Sequence, residues 1–412
     1  METATQEKKS LFWRFIHGVE VVGNKFPHPF YLFTILIFVS VILSVIFAGV
    51  SVTYEQAGSN GTSSEIVTTT VINLINRDTI TNVTQNMYSI YYNFSPMMMM
   101  GLLMLSIGLA EQVGLFGAVI KRTIMGVRPA FVFAVVSFVA INAHTASNAG
   151  VLGCTAVSAA VFASMGYNPW LGIILSYAAG NAGFAANLFV GNLDVLVSGI
   201  DESVCSSLGI DTSTVHVLQN WYFMLVSALI LTVVYTFVTT KFVRGFIGEP
   251  KDLSLVQDAD ASNGLTPVEH RALRNAGIAA IVFIALVVAA CIPSNSFFRA
   301  EDGSLLPNSP LLKSILTILF LFFLVTAIAY GRTTKKIATW NDLPKMLAKS
   351  IDSMVNFMVI ALPASLFIYL FNASNIPTVL GAAGAEWIKG TGINGFGLLV
   401  LVILFTIFLD LF

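Results

Sequence analysis

Amide, hydroxyl, imidazole and carboxylate side chains interrupt an otherwise apolar stretch of chain from residue 141 to residue 200. They are Asn142, His144, Thr145, Ser147, Asn148, Asn181, Asn187, Asn192 and Asp194. Oxygen atoms of these kinds can replace the water around a cation. Amide N–H groups and helix N-termini can bind the carboxylate of an anionic molecule. The residue types therefore favour a site for a cation and a small organic anion.

Composition places this stretch in a membrane protein. The chain has 412 residues, of which 56% are hydrophobic and 10% are charged, and its mean hydropathy is +0.81. A soluble chain is roughly 25% charged, so the sequence predicts an all-α, polytopic membrane protein whose surface faces the lipid bilayer. Polar groups at membrane depth are costly unless they line a cavity or a pathway.

Several function classes are excluded by what the sequence lacks. The net charge of −1 cannot neutralise a run of phosphates, which argues against nucleic acid as a partner. The three cysteines have no metal-ligand spacing, so no metal site is predicted. Gly-x-Ser-x-Gly and His-Glu-x-x-His motifs are absent, so no catalytic residue is assigned and the chain is not expected to be an enzyme.

Basic residues set the expected orientation in the bilayer. They collect in the N-terminal segment 1–28 and again after the apolar runs that end near residues 120, 240 and 330. Loops rich in Lys and Arg stay in the cytoplasm. We therefore expect a cytoplasmic N-terminus, a multi-pass protein of the inner membrane, and loops outside at 51–93, 194–219 and 293–310.

The central stretch must cross the bilayer an odd number of times, because Arg128 is expected inside and Ser198 outside. Its apolar content suffices for about three helices of ~20 residues, with breaks near 143–148, 167–169 and 191–192. Three full crossings or one crossing plus a re-entrant hairpin satisfy this count. The polar segment Thr145–Gly150 favours the hairpin. About eight to nine apolar helical segments are expected in all, with broken helices and inverted repeats resembling those of ion-coupled transporters.

The chain divides into four expected regions. These are the cytoplasmic N-terminus (1–28), a first transmembrane half with the hairpin and broken helix (29–240), a cytoplasmic linker (241–275) and a second transmembrane half (276–412).

Six segments resemble the AbgT family, the p-aminobenzoyl-glutamate transporters, in the order in which that family carries them. They are GNKFPHPFYLF (Gly23–Phe33), NLINRDTITNVTQNM (Asn73–Met87), GLAEQVGLFGAVIKR (Gly108–Arg122), ASNAG (Ala146–Gly150), AANLFVGNLDVLVSGI (Ala185–Ile200) and YLFNASN (Tyr369–Asn375). The resemblance covers nearly the whole chain.

The resemblance implies a homodimeric secondary transporter, a symporter or an antiporter. It implies p-aminobenzoyl-glutamate or related folate catabolites as substrates, sulfonamide efflux in some members, and a sodium ion or proton as the coupling ion, with no other cofactor. The family continues past a point like Leu409–Phe412, so the chain is expected to be C-terminally truncated. The alternatives are a truncated, non-transporting fragment or a carrier of another organic anion.

Carried onto this chain, the resemblance makes ASNAG the tip of the first hairpin and NLFVGNLD the unwound segment that faces it. Ion-binding residues are then predicted at Ser147, Asn148, Asn187 and Asp194. Substrate-binding residues are predicted at Thr145, Gly150, Asn372, Ser374 and Asn375. Several family members carry an acidic residue where Asn148 stands, which changes the charge of that ion site.

Structural roles compete with these assignments. Asparagine often forms hydrogen bonds between transmembrane helices, and this is the favoured interpretation of Asn142, Asn181 and Asn192. Asp194 has its own alternative, as a solvated residue at the outer end of a helix.

Overall fold

A computed structural model of the protein describes most of the chain. The described residues are 17–18, 21, 25, 27–57, 64–183, 186–207, 211–248, 264–305, 309–391 and 395–409. Within these ranges the backbone alone is described at 55–57, 64–65, 146–149, 192, 353, 385, 388–389, 391 and 408–409.

Helices make up most of the structure. They are α1 (Pro29–Ile46), α2 (Arg77–Tyr92), α3 (Ser95–Gln112), α4 (Leu115–Ile124), α5 (Val132–Ala143), α6 (Ser147–Ser164), α7 (Pro169–Ala182), α8 (Asn192–Ser207), α9 (Trp221–Val238), α10 (Arg244–Ile247), α11 (Pro267–Cys291), α12 (Pro310–Lys313), α13 (Ile315–Thr333), α14 (Asp342–Ser350), α15 (Asp352–Ala373), α16 (Ile376–Thr391) and α17 (Gly395–Leu409). Short 3-10 turns lie at Pro129–Phe131 and His144–Ala146, and a π-helical turn lies at Thr239–Val243.

Six helical stretches are long and apolar enough to cross a bilayer, or seven if the bent pair Leu115–Ile124 and Pro129–Ala143 is one span. Two shorter apolar helices, Gly150–Ser164 and Gly395–Ile407, add to them within the described part of the chain. The prediction of a polytopic helical membrane protein is confirmed. The helix α11 starts at Pro267, inside the segment predicted as a linker, because Thr266 and Glu269 form a capping box there.

The chain packs as two units, residues 1–94 with 356–412 and residues 95–355, and the boundary falls within α15. The first unit contains two antiparallel strands, β1 (Ser51–Ala57) and β2 (Ser64–Thr70), in the segment expected to be a polar outer loop. Hydroxyl groups bond across the strands at Ser51–Thr70 (2.8 Å) and Thr53–Thr68 (2.9 Å). Alternating β-branched and polar residues in both segments favour strand over helix. The expectation of a purely α-helical chain missed this hairpin.

A buried serine on α1 stabilises the chain that follows β2. Ser44 is fully buried, and its Oγ accepts a hydrogen bond from the Leu74 backbone N–H at 3.1 Å. We expect Ser44→Ala to lower the free energy of unfolding by about 1–3 kcal/mol, because it leaves a buried N–H without a partner. Thermal unfolding of the purified protein in detergent measures the change. Ser40→Ala is the control, since the equally buried Ser40 hydroxyl bonds only the Leu36 carbonyl one turn earlier. Equal losses in both variants would contradict the interpretation.

The second unit is built around two sets of packed helices. Helix α3 packs against α8, α13 and α14, while α5, α6 and α7 pack against one another. Close contact of α6 with α7 depends on a row of small residues on α7, Gly172, Ser176 and Gly180, all of them buried. Small residues four apart let two helix backbones approach closely.

The helix breaks fall where the sequence predicted them. The chain leaves α-helical geometry at His144–Ala146, between Ser164 and Pro169, and at residues 183 and 186–191 before α8. Helix α4 and the stretch Pro129–Ala143 are bent by 113° relative to each other. The position of a membrane hairpin tip at ASNAG stays a prediction. The division of the chain into two transmembrane halves also stays a prediction.

Candidate functional site

The candidate site lies between the end of helix α7 and the start of α8, in the unwound segment of residues 186–191. Gly183 follows the last helical residue of α7, and Gly191 directly precedes α8. Unwound backbone at membrane depth is tolerated where it packs against protein or lines a cavity, and its carbonyl and N–H groups are then available for ligands. The predicted residues Asn187 and Asp194 lie on either side of Gly191.

The Asp194 carboxylate caps α8 and binds the unwound segment at the same time. Its Oδ2 accepts hydrogen bonds from the Gly191 backbone N–H at 2.6 Å and from the Asn187 side-chain Nδ2 at 3.1 Å. A carboxylate in the first turn satisfies a free N–H group and interacts favourably with the helix dipole. Asp194 is partly buried, so it is not a fully solvated residue at a helix end.

The Asn187 side chain is almost completely buried, with an exposed fraction of 1%. Its Nδ2 donates to the Phe189 carbonyl as well as to Asp194, which fixes the orientation of the amide. Its Oδ1 is buried and has no hydrogen-bond partner. A buried polar atom without a partner is costly, so this oxygen marks a position where a ligand would be stabilised.

Two further residues fix the unwound segment. The Asn142 Oδ1 accepts a hydrogen bond from the Leu188 N–H at 2.7 Å, and its Nδ2 donates to the Phe138 carbonyl. The Trp221 Nε1 donates to the Leu188 carbonyl at 3.0 Å. The Asn142 side chain thus joins helix α5 to the non-helical segment rather than to a second helix, and its predicted role in a hydrogen bond between helices stays a prediction. The side chain of Asn181 also bonds locally, to the Tyr177 carbonyl, and that of Asn192 lies outside the described side chains.

Thr145 lies beside the same cluster and is 7% exposed. A Cβ atom added at Gly191 would lie 3.6 Å from Asn187 Nδ2 and 3.8 Å from both Asp194 Oδ2 and the Thr145 methyl carbon Cγ2. The structure thus brings three of the predicted residues together around Gly191. The Thr145 hydroxyl is buried and lacks a hydrogen-bond partner.

The remaining predicted residues of this unit belong to the first turn of α6. Ser147 and Asn148 start the helix, but their side chains lie outside the described ones. Gly150 is buried in the same turn. His144 precedes the helix, and its Nδ1 lies 2.6 Å from the Ile141 carbonyl. The ligand roles of Ser147, Asn148 and Gly150 stay predictions.

Asn372, Ser374 and Asn375 belong to the other unit, at the end of α15. The Asn375 residue has a positive φ of 60°, and its Nδ2 donates to the Thr70 carbonyl of β2 at 3.0 Å. The Ser374 carbonyl accepts from the Ile72 N–H at 2.9 Å, and the Ser374 hydroxyl bonds the Phe371 carbonyl. These contacts connect α15 to the strand hairpin. A substrate-binding role for the three residues stays a prediction.

Two cavities of the second unit adjoin the Asn187–Asp194 cluster. Asp194 lines one of about 270 Å³, together with Val197, Gln219 and Phe223. Thr145 and Asn142 line the other, of about 410 Å³, together with Leu188 and Phe189. Residues next to Asn187 therefore line both cavities. In the described part of the chain no group of three or more His, Cys, Asp and Glu residues could hold a metal ion.

Reasoning from the sequence missed the contributions of Gly191 and Trp221. Gly191 supplies an N–H to the carboxylate, and the position of a glycine just before an acidic helix start is the signal that could have indicated it. Trp221 was recognised only as the first residue of a span. Its hydrogen bond to residue 188 joins parts of the chain 33 residues apart and has no local sequence signal.

Comparison with known proteins agrees with the family resemblance of the sequence. A model of the AbgT putative transporter family matches residues 14–412. The p-aminobenzoyl-glutamate transport protein of Escherichia coli (strain K12) is 30% identical over 394 residues, which are 96% of this chain and 75% of that protein.

Two solved structures are similar in fold. Neisseria gonorrhoeae MtrF, described as illuminating a class of antimetabolite efflux pumps, superposes with a TM-score of 0.85 at 28% identity, over 95% of this chain and 78% of MtrF. The Alcanivorax borkumensis YdaH transporter, described as having an unusual topology, gives a TM-score of 0.80 at 23% identity, over 93% of this chain and 78% of YdaH.

Proposed function

The chain belongs to the AbgT putative transporter family, and from this membership we propose that it is a secondary active transporter of p-aminobenzoyl-glutamate or of related folate catabolites and antimetabolites. Transport would be driven by a sodium or a proton gradient through the cluster of Asn187 and Asp194. The protein is a multi-pass membrane transporter of a small organic substrate and not an enzyme.

The observation that carries the coupling proposal is the unpaired, buried Oδ1 of Asn187 in a side chain that also bonds Asp194. An amide oxygen, a carboxylate and the carbonyl groups of an unwound segment are the hard oxygen ligands that suit a small cation. A cation at this position would give Asn187 Oδ1 a partner and would compensate the negative charge of the partly buried Asp194 carboxylate.

A proton is the alternative coupling ion. Asp194 could bind it directly, because a protonated carboxyl group still accepts hydrogen bonds through its second oxygen. The two ions make different predictions: sodium requires Asn187 Oδ1 as a ligand, whereas a proton requires only Asp194. The choice between them is therefore measurable on the same protein.

The p-aminobenzoyl-glutamate proposal rests on the Escherichia coli relative, and the antimetabolite proposal rests on MtrF.

We further propose a homodimer in the inner membrane with the N-terminus in the cytoplasm. One cavity supports the proposed orientation, because its wall joins two segments that the charge pattern predicts outside, with Glu202, Asp211 and His216 from one and Ser309 from the other.

Transport into liposomes tests the proposed function. The purified 412-residue chain is reconstituted and given radiolabelled p-aminobenzoyl-glutamate with an imposed sodium gradient, an imposed proton gradient, or neither. We expect accumulation above the equilibrium level with one of the two gradients and only equilibration without them. Accumulation no greater than in liposomes without protein, under all three conditions, would contradict the proposal.

A further inference from the structure

The larger of the two cavities beside the cluster is almost entirely apolar. It lies between α4, α5, α11, α13 and the unwound segment, and it has a volume of about 410 Å³. None of the described residues that line it is charged. Five of them are phenylalanines, namely Phe116, Phe138, Phe189, Phe322 and Phe323. Cavities with such walls favour an uncharged ligand group.

The phenylalanines favour an aromatic ring in particular. Phe322 and Phe323 are in edge-to-face contact with ring centroids 5.4 Å apart, and Phe116 lies 6.1 Å from Phe323. Aromatic pairs in such geometries are more favourable than their buried area alone would give. An apolar cavity of about 150 Å³ is enough to bind benzene, so this cavity can hold a substituted ring.

One residue in the wall of the cavity has a buried polar atom without a hydrogen-bond partner. The Thr145 hydroxyl is buried without a hydrogen-bond partner, whereas the hydroxyls of Thr123 and Thr326 in the same wall bond the carbonyls four residues earlier. The Thr145 hydroxyl makes no such bond to its equivalent carbonyl, that of Ile141, which lies 2.6 Å from His144 Nδ1. The Thr145 hydroxyl is therefore free to bond a ligand.

We propose that this phenylalanine-lined cavity binds the aromatic ring of the substrate, and that the Thr145 hydroxyl accepts a hydrogen bond from an amino group on that ring. The inference rests on the proposed function and assigns the ring of an aryl amine to one side of the Asn187–Asp194 cluster. The charged part of the substrate lies outside this cavity, since the cavity wall offers it no counter-charge.

Two pairs of variants test the cavity and the hydroxyl separately. Ala280→Leu places a larger side chain at the cavity wall, while Ala279→Leu makes the same change at the adjacent residue of α11, which lines a different depression. Thr145→Val removes the free hydroxyl, while Thr155→Val removes a hydroxyl that bonds the Val151 carbonyl. Affinities are measured by calorimetry on the purified chain in lipid nanodiscs, with p-aminobenzoyl-glutamate and with benzoyl-glutamate, which lacks the amino group.

We expect Ala280→Leu to weaken binding of both ligands at least about tenfold, since the ring loses its space. Thr145→Val should weaken p-aminobenzoyl-glutamate roughly two- to tenfold, as one hydrogen bond is lost. It should leave benzoyl-glutamate unchanged. Both control variants should bind like the wild type.

Several results would overturn the inference. Unchanged substrate affinity in Ala280→Leu would show that the ring binds elsewhere, and loss of co-purified phospholipid in that variant would then assign the cavity to an acyl chain. Equal effects of Thr145→Val on both ligands would show that the Thr145 hydroxyl does not bond the amino group. If the wild-type chain and both variants bind and transport normally, only this inference is refuted. A wild-type chain that neither binds nor transports refutes the proposed function as well.

Discussion

Replacing Asp194 by asparagine should abolish gradient-driven accumulation of substrate while leaving the protein folded. The Oδ2 of Asp194 accepts both of its hydrogen bonds, from Gly191 and Asn187, and the amide oxygen of an asparagine can accept the same two. The substitution therefore keeps the helix cap and removes only the charge. Removing one partner of a buried charge pair costs about 3–5 kcal/mol, so cation affinity should fall by roughly a hundredfold or more.

The matched control for this prediction is Asp201→Asn. Asp201 lies on the same helix, and its Oδ2 likewise accepts a hydrogen bond from an amide, the Nε2 of Gln219. Among the described residues its carboxylate has no hydrogen bond to Asn187 or Gly191, the two partners of Asp194. Accumulation is measured in liposomes for the two variants and the wild type, with protein amounts and unfolding temperatures matched. Normal accumulation by Asp194→Asn, or equal losses in both variants, would show that the Asp194 charge has no special role.

The second large effect is expected at Gly172, where helices α6 and α7 touch through their backbones. A Cβ atom at this position would lie 2.5 Å from the Ser158 carbonyl oxygen and 2.7 Å from its carbonyl carbon. Because the obstacle is backbone and not a flexible side chain, the two helices must separate. We expect Gly172→Ala to lower the free energy of unfolding by about 1–3 kcal/mol. It should also impair transport, since α7 leads directly into the unwound segment.

Gly153→Ala on α6 separates steric from conformational effects. A Cβ atom at Gly153 would meet no atom within 4 Å, and alanine favours a helix over glycine by about 1 kcal/mol. This variant should be as stable as the wild type or slightly more so. Thermal unfolding in detergent, followed by the transport assay, compares the two. A Gly172→Ala protein as stable as the Gly153→Ala protein would contradict the packing account.

Much of the membrane architecture could be predicted because its signals are local. A run of apolar residues, a cluster of Lys and Arg, and a Pro or Gly interruption each act within a few residues. The breaks near Pro169 and Gly191 were found in this way, whereas the unwound segment was predicted from the family resemblance as NLFVGNLD (Asn187–Asp194), of which Asn192–Asp194 are helical. The strand hairpin was not predicted, because its seven-residue strands resemble an ordinary polar loop unless their pairing partner is known.

The candidate site was predictable in part for a similar reason. Asn187 and Asp194 are seven residues apart and carry a family signature, so the sequence pointed to both. The unpaired hydroxyl of Thr145 could not be foreseen, since burial and the absence of a hydrogen-bond partner are set by tertiary packing. The aromatic cavity could not be foreseen either, because helices α4 and α5 are distant in the chain from α11 and α13 and meet them only through tertiary packing.

The most direct test of coupling at the Asn187–Asp194 cluster is the dependence of substrate affinity on the cation. The affinity of p-aminobenzoyl-glutamate is measured in nanodiscs over a range of sodium concentrations at fixed pH, and over a range of pH at fixed sodium. Coupling free energies between two ligands are typically about 1–3 kcal/mol, so wild-type affinity should rise roughly 5- to 150-fold with one cation. The same titration of Asp194→Asn should be flat. An equal cation dependence in the two proteins would contradict the account.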